Sequence, residues 1–235
     1  MLTERWKKHG STTSFMQIFL FIYQSNFQFI SNFVYKILSL VEVLEFKIWQ
    51  NRNFEKIKRY LDRKKLMLAI INDLNDSKLS NNKVNIYEFG VAFGELSKFL
   101  FENLRININY HGFDTFSGLP YFWRGLPKGA ISTNNKIPEI FGDGIKFHTG
   151  LIKDTISNVE FKSENTNLFI FDFDLYEPTL FAYKHVRENI KKGDILFFDE
   201  AFTQDERIII ENYFFKDFNY KVLGSSPFAI AFEVA

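Results

Sequence analysis

Apolar and polar positions alternate with two different periodicities along the chain. Between Phe33 and Ile48 the apolar residues recur at helical spacing, and a charged segment from about Phe54 to Leu74 repeats this pattern, so both predict amphipathic helices. From Lys83 onward, short apolar runs such as VNIYEF, LFIFDFD and DILFFDE alternate with helical patterns. This alternation predicts a parallel sheet with crossover helices.

The end of the chain departs from that rhythm. YKVLG and PFAIAFEV are separated only by a Gly-Ser-Ser break, and two strands joined by so tight a link are antiparallel. A parallel sheet that closes with such a hairpin is the arrangement of Rossmann-like methyltransferases. We therefore expect an α/β fold: a mostly parallel seven-stranded sheet with helices on both faces, a carboxyl-terminal antiparallel hairpin, and added amino-terminal helices. The expected division is a helical region 1–64 and a methyltransferase domain 65–235.

Charge and composition narrow the classes of function. The 235 residues include 29 basic and 28 acidic side chains, so no overall field attracts nucleic acid, which we do not expect as a partner. The chain has no cysteine, which excludes disulfides and thiolate zinc sites and favours a reducing compartment, with the cytoplasm as the default.

The aromatic region 1–64 leaves several roles open. Its longest clean apolar run, Ile18 to Tyr23, is far shorter than the roughly 18 residues that a membrane-spanning helix needs. Packing as a lid on the core, formation of a homodimer, and peripheral membrane contact through the amphipathic helices are all consistent with the pattern.

The stretch YEFGVAFGELSKFL contains the first candidate chemistry. Glu88, Gly90 and Gly94 form E-x-G-x-x-x-G at a strand-to-helix junction, where glycines permit close approach of a ligand. A dinucleotide loop normally reads G-x-G-x-x-G, and an acid before the glycines would repel a phosphate. S-adenosylmethionine has no phosphate and carries an ammonium and a sulfonium, so we predict that these three residues bind it.

Three further residues extend the predicted cofactor site. Asp114 ends the next strand, where nucleotide-binding sheets place the carboxylate that accepts the ribose hydroxyls, although a turn cap would explain it too. Gly150 and Asp154 follow the strand IKFHTG, and we predict that they pass near the adenine.

Acidic residues follow two later strands. Asp172 and Asp174 end LFIFDFD on the same side of the strand, and Asp199 with Glu200 ends DILFFDE. Carboxylates that converge at one sheet edge repel one another unless a cation joins them, and oxygen ligands without Cys or local His indicate Mg²⁺. We predict that Asp172, Asp199 and Glu200 bind the metal and that Asp172 also takes the proton of a substrate hydroxyl. For Asp174 and Glu177, capping of the next helix is the preferred interpretation.

Several motifs together resemble the macrocin O-methyltransferase (TylF-like) family of class I S-adenosylmethionine-dependent methyltransferases. The matching stretches, between about residues 84 and 202, are YEFGVAFGELS, GFDTFSGLP, WRGLPKG, TGLIKDTI, FDFDLYEPT and ILFFDEA. The resemblance implies Mg²⁺-assisted methyl transfer to a hydroxyl, often of a sugar. Where characterised members carry two aspartates, this chain has Asp199 and Glu200.

The leading hypothesis is therefore an S-adenosylmethionine-dependent O-methyltransferase that acts on a hydroxyl of a sugar or other small polyol. A nicotinamide-dependent oxidoreductase is disfavoured by the glycine spacing and the terminal hairpin. A non-catalytic or membrane-associated binding protein on the same fold is the alternative from another class.

Overall fold

A computed structural model describes residues 28–76, 83–161 and 164–235 of the chain. Its contacts divide the chain after Val41, and the unit from Glu42 to Ala235 is described here by itself. Predictions about residues 1–27 lie outside the described residues. In the part of the chain that is described, no helix is long and apolar enough to cross a membrane.

The elements alternate as the sequence predicts. The helices are α1 (Gln28–Asn53), α2 (Arg63–Asp76), α3 (Glu95–Asn103), α4 (Ile152–Thr155), α5 (Tyr176–Val186), α6 (Gln204–Ile209) and α7 (Phe215–Asp217). The strands are β1 (Lys83–Phe89), β2 (Asn107–Asp114), β3 (Ile145–Thr149), β4 (Thr166–Phe171), β5 (Ile195–Phe198), β6 (Tyr220–Ser225) and β7 (Ile230–Val234). A π-helical turn, Ile210–Phe214, joins α6 to α7.

All seven strands form one sheet in the order β3-β2-β1-β4-β5-β7-β6. The first five pair in parallel, whereas β7 runs antiparallel to both β5 and β6. The predicted mostly parallel sheet with a carboxyl-terminal hairpin is confirmed. Parallel order places the ends of β1, β2, β4 and β5 along one edge, which is where open α/β sheets bind ligands.

The sheet is buried on both faces. Alternate residues of β1 enter different apolar clusters: Tyr87 and Phe89 pack with α5 and α6, while Val84 and Ile86 pack with α2 and α3. At the carboxyl ends of the strands, a row of stacked rings crosses four neighbouring strands, with centroids 5.2, 5.2 and 4.9 Å apart. The row consists of Phe113, Phe89, Phe171 and Phe198. These packed rings form an apolar layer directly beneath the strand ends.

Polar side chains join the strands at the opposite end of the sheet. Asn85 donates to Asn167 Oδ1 at 2.9 Å, and Asn167 donates to Asp194 Oδ2 at 2.9 Å. Lys191 Nζ lies 2.8 Å from Asp194 Oδ1 and completes the chain of contacts. Asn85, Asn167 and Asp194 thus have partners for their buried side chains, which offsets the desolvation cost of placing them inside the sheet.

One predicted helix is wrong in its first half. The segment Phe54–Leu74 was expected to be helical throughout, but α2 begins only at Arg63. Instead, Tyr60 donates its backbone N–H to the Ser225 carbonyl at 2.8 Å, and Ser225 donates to the Lys58 carbonyl at 2.9 Å. Pairing with the last residue of β6 holds this segment extended, a tertiary contact that local periodicity does not encode.

Candidate active site

A cavity of about 600 Å³ opens at the carboxyl ends of the parallel strands. Its volume falls within the range of small-molecule sites, about 300–1,000 Å³. Seven of its lining side chains are acidic and two, Arg63 and Lys153, are basic, so the cavity favours a cationic ligand. The wall includes six of the residues predicted from the sequence: Glu88, Gly90, Asp114, Gly150, Asp172 and Glu200.

Glu88 ends β1 as a fully buried carboxyl group. Its Oε2 accepts hydrogen bonds from Ser97 Oγ at 2.9 Å and from Tyr110 Oη at 2.8 Å. Burial raises the pKa of Glu88 to about 7, although the two hydroxyl donors oppose the shift. A carboxyl group that is held in place and titrates near neutrality can accept a cationic group by losing its proton. Sequence reasoning missed Ser97 and Tyr110, because their role depends on contacts with Glu88 that exist only in the folded chain.

The two predicted loop positions, Gly90 and Gly94, require glycine for different structural reasons. Gly90 has φ +101°, and a Cβ there would lie 1.9 Å from the carbonyl oxygen of Asp172, so no side chain fits. Gly94 has φ +71° and precedes α3, where a Cβ would meet the Pro138 ring at 2.7 Å. Gly90 lines the cavity, whereas Gly94 shapes the start of the helix and lies outside the cavity wall.

Asp114 ties the cofactor loop to the end of β2. Its Oδ2 accepts the backbone N–H groups of Val91 and Ala92, both at 2.8 Å, and its Oδ1 accepts the N–H of Phe116 at 2.7 Å. The carboxylate therefore orders the loop that follows β1. It also lines the cavity, where the remaining lone pair of Oδ1 leaves the predicted ribose contact open.

Of the two residues predicted to lie near the adenine, Gly150 lines the cavity and Asp154 does not. Gly150 lines the cavity, and its N–H donates to the Asp114 carbonyl at 3.0 Å, which joins β3 to the end of β2. Asp154 is exposed in the first turn of α4 and lies outside the cavity wall, while its neighbour Lys153 lines it. A cofactor contact of Asp154 stays a prediction.

Five acidic side chains gather beyond β4 and β5. This carboxylate cluster consists of Asp172, Asp174, Asp199, Glu200 and Glu206. Burial raises the pKa of each, and neighbouring negative charges add to the effect for Asp172, Glu200 and Glu206. The pKa of Asp174 is raised to about 7, first by burial and then by Asp199. Such a group of acids requires protons or cations to offset its charge.

The expected capping by Asp174 is wrong. The residue before α5 is Leu175, and no side chain caps that end of the helix. Asp174 instead adopts φ +64° and lines the cavity. The left-handed backbone turns its carboxyl group toward the cluster, a conformation that Asp tolerates better than most residues.

The cation that meets this cluster is Arg63, a residue that the sequence analysis did not select. Its Nη1 donates to Asp199 Oδ2 in a short hydrogen bond and lies 3.6 Å from Asp172 Oδ2. The carboxylates of Asp199 and Asp172 raise the pKa of Arg63 despite partial burial. The guanidinium thus bridges two of the three acids that were predicted to bind Mg²⁺.

The described residues do not fit a magnesium site as predicted. Among them, no three His, Asp or Glu side chains are arranged to hold one metal ion. Asp199 Oδ2 is committed to Arg63, and Asp199 lies outside the cavity wall. Asp199 Oδ1 and Glu206 Oε1 are buried without a hydrogen-bond partner. The magnesium site stays a prediction.

Neighbouring contacts fix the surroundings of the cluster. Glu206 Oε2 accepts the backbone N–H of Glu200 at 3.0 Å, and Thr203 Oγ1 donates to the Glu200 carbonyl at 2.8 Å. Arg124, from the loop after β2, forms a two-bond ion pair with Glu42 of α1. Thr203 and Glu206, which follow β5, therefore hold the backbone of Glu200 in place.

The sheet order, the loop after β1 and the cavity at the strand ends define a Rossmann-like methyltransferase fold. Among solved structures, the calicheamicin methyltransferase CalS11 has a TM-score of 0.54 and 20% identity, over 74% of this chain and 80% of that one. The O-methyltransferase NovP has a TM-score of 0.51 and 15% identity, over 73% of this chain and 80% of that one. No protein-family model matches the chain, and a search of curated proteins finds no match. The likeness is one of fold, and membership of the macrocin O-methyltransferase family stays a prediction.

Proposed function

We propose that the protein is an S-adenosylmethionine-dependent O-methyltransferase whose acceptor is a hydroxyl group of a sugar or other small polyol. The observation that carries this proposal is the convergence of Glu88, Gly90, Asp114 and Asp172 on one acid-rich cavity at the carboxyl ends of the strands. The fold shared with CalS11 and NovP agrees with it.

The cofactor is assigned to the end of the cavity formed by the loop after β1. There Glu88 would face the cationic part of S-adenosylmethionine, Gly90 would let the backbone approach it, and Asp114 would accept the ribose hydroxyls. A dinucleotide is disfavoured because its diphosphate would meet the acidic wall.

Asp172 is assigned the role of base. In the proposed reaction, the acceptor oxygen forms a bond to the methyl carbon while the carbon–sulfur bond breaks and S-adenosylhomocysteine leaves. The hydroxyl proton passes to the Asp172 carboxylate. Magnesium has no step in this proposal, because Arg63 already pairs with two of the predicted ligands.

The acceptor is assigned to the remaining wall, which carries Tyr121 and Phe181 beside the acids. Aromatic faces and carboxylates suit a polyhydroxylated ring, since the former pack on its C–H groups and the latter accept its hydroxyls. The predicted homodimer and peripheral membrane contact remain further proposals that depend on the amino-terminal helices.

Isothermal titration calorimetry with S-adenosylhomocysteine tests the cofactor half of the proposal, with NAD⁺ as the control ligand. We expect binding of one equivalent of S-adenosylhomocysteine and none of NAD⁺. Absence of heat with S-adenosylhomocysteine at high micromolar concentration would contradict the proposal, and binding of NAD⁺ alone would favour the oxidoreductase.

A further inference from the structure

We propose that Arg63 is the resident cation of this site: its guanidinium takes the position that the family resemblance gives to a divalent metal and holds Asp172 in place as a positioning residue. The inference rests on the proposed function for the role of Asp172. The position of the guanidinium does not depend on that function, because it follows from contacts within the chain.

The first step of the argument is the contact itself. Arg63 Nη1 donates to Asp199 Oδ2, and the same atom lies 3.6 Å from Asp172 Oδ2. Asp199 ends β5 and Asp172 ends β4, so one guanidinium joins two neighbouring strand ends. Arg63 thus occupies one carboxylate oxygen, Asp199 Oδ2, and places a positive charge where a divalent ion bound by Asp199 and Asp172 would lie.

The second step is how firmly the chain delivers Arg63. Asp62 Oδ1 accepts the backbone N–H of Lys65 at 2.8 Å, in the manner of a helix N-cap, so Arg63 is the first residue of α2. Upstream, the backbone of Lys58 and Tyr60 is paired with Ser225 of β6. Gly224 supports this close approach, because a Cβ there would lie 2.6 Å from the Tyr60 ring. Arg63 is thus fixed from both sides.

The third step is charge. The carboxylate cluster holds five acids, and of the basic side chains that line the cavity, Arg63 contacts two of them. The guanidinium also faces the cavity, with 35% of its side chain exposed. Its charge opposes the rise in the pKa of Asp172 that burial causes, and its exposed part faces the space where an acceptor would bind. A metal ion would otherwise supply this positive charge.

Binding of Mn²⁺, measured by electron paramagnetic resonance, tests the inference without an acceptor or any turnover. We expect the wild-type protein to bind no Mn²⁺ at this site at millimolar concentration. Arg63→Met frees the oxygens of Asp199 and Asp172 and removes a positive charge that would repel the ion. We therefore expect the affinity of this variant for Mn²⁺ to be about tenfold or more higher than that of the wild type. Adding Asp199→Asn to Arg63→Met should abolish the gained binding.

Matched variants complete the test. Arg59→Met makes the same chemical change on an exposed arginine that bonds to Asn51, and it should leave Mn²⁺ binding as in the wild type. Arg63→Lys keeps the cation and should also bind no Mn²⁺. If Arg63→Met fails to fold, Arg63→Gln serves as the second variant.

The measurement of Mn²⁺ binding by the wild-type protein decides whether the inference holds. One equivalent of Mn²⁺ bound by the wild-type protein and lost in Asp199→Asn would overturn it, whereas absence of such binding supports it. The outcome is separate from the cofactor test, because S-adenosylhomocysteine can bind or fail to bind whichever cation sits on the carboxylates.

Discussion

Replacement of Glu88 by glutamine gives the sharpest test of the cofactor end of the cavity. The change keeps the shape and one oxygen acceptor for Tyr110 and Ser97 but removes the ionisable group. Burial raises the pKa of Glu88 from 4.5 to about 7. At 1.36 kcal/mol per pKa unit, the ionised carboxylate costs the folded protein about 3 kcal/mol relative to the unfolded chain.

The sign of the pH dependence follows from that shift. Because the folded-state pKa lies above the unfolded value, the native protein binds more protons between pH 4.5 and about 7, and this group's contribution to stability falls as pH rises through that window. Above it, the full penalty of about 3 kcal/mol persists. In urea unfolding at several pH values, Glu88→Gln should therefore gain stability relative to wild type as pH rises. Identical pH dependence of the two proteins would refute the reasoning.

Cofactor binding should reverse the same shift. If the cationic part of S-adenosylmethionine pairs with Glu88, binding below the raised pKa must expel the proton. Calorimetry in two buffers of different ionisation enthalpy should then show proton release for the wild type and a smaller release with weaker binding for Glu88→Gln. Equal proton release by the two proteins would place the cofactor's charge elsewhere.

Two backbone-centred predictions concern the same loop. Gly90→Ala should lower the free energy of unfolding by well more than the roughly 1–2 kcal/mol that an unfavourable backbone conformation costs, because its Cβ would lie 1.9 Å from the Asp172 carbonyl oxygen. The control Gly193→Ala, at φ +85° with no atom within 4 Å of the new Cβ, should lose only the backbone amount. Equal losses in urea unfolding would contradict this. Asp114→Asn places an amide against three backbone N–H donors, so it should lower the free energy of unfolding by about 2 kcal/mol and weaken S-adenosylhomocysteine binding. An unchanged free energy of unfolding and an unchanged affinity in calorimetry would show that the carboxylate does not order the loop.

The fold was largely predictable because local pattern and global topology agree in this chain. The alternation from Lys83 onward and the Gly-Ser-Ser break determine both the parallel strands and the hairpin. The prediction failed between Phe54 and Asp62, where charged helical periodicity competes with pairing to Ser225. That contact joins residues far apart in sequence, and no local signal reports it.

The site was predictable where a motif marks it and not elsewhere. Glu88 lies near the end of β1, and Gly90 and Asp172 directly follow β1 and β4, so the topology brings all three to the cavity. Arg63 lies in the run DRKK, which has the composition of an ordinary solvated helix start, and its role appears only when α2 is docked on the sheet. Tyr110 and Ser97 were missed for the same reason, since they act through Glu88.

Two cations therefore divide the acidic wall in the proposed complex. S-adenosylmethionine would bring its charge to Glu88, which is held by neutral hydroxyls, while Arg63 remains with Asp172 and Asp199 at the other end. Arg63 offsets part of the repulsion among the acids, since it contacts Asp172 and Asp199 and also lowers the pKa of Glu88. The cofactor would bring a second positive charge to the same wall. Because Arg63 is supplied by the stretch before residue 65, the predicted methyltransferase domain 65–235 would lack its cation. In this proposal the site therefore extends upstream of residue 65 to include Arg63.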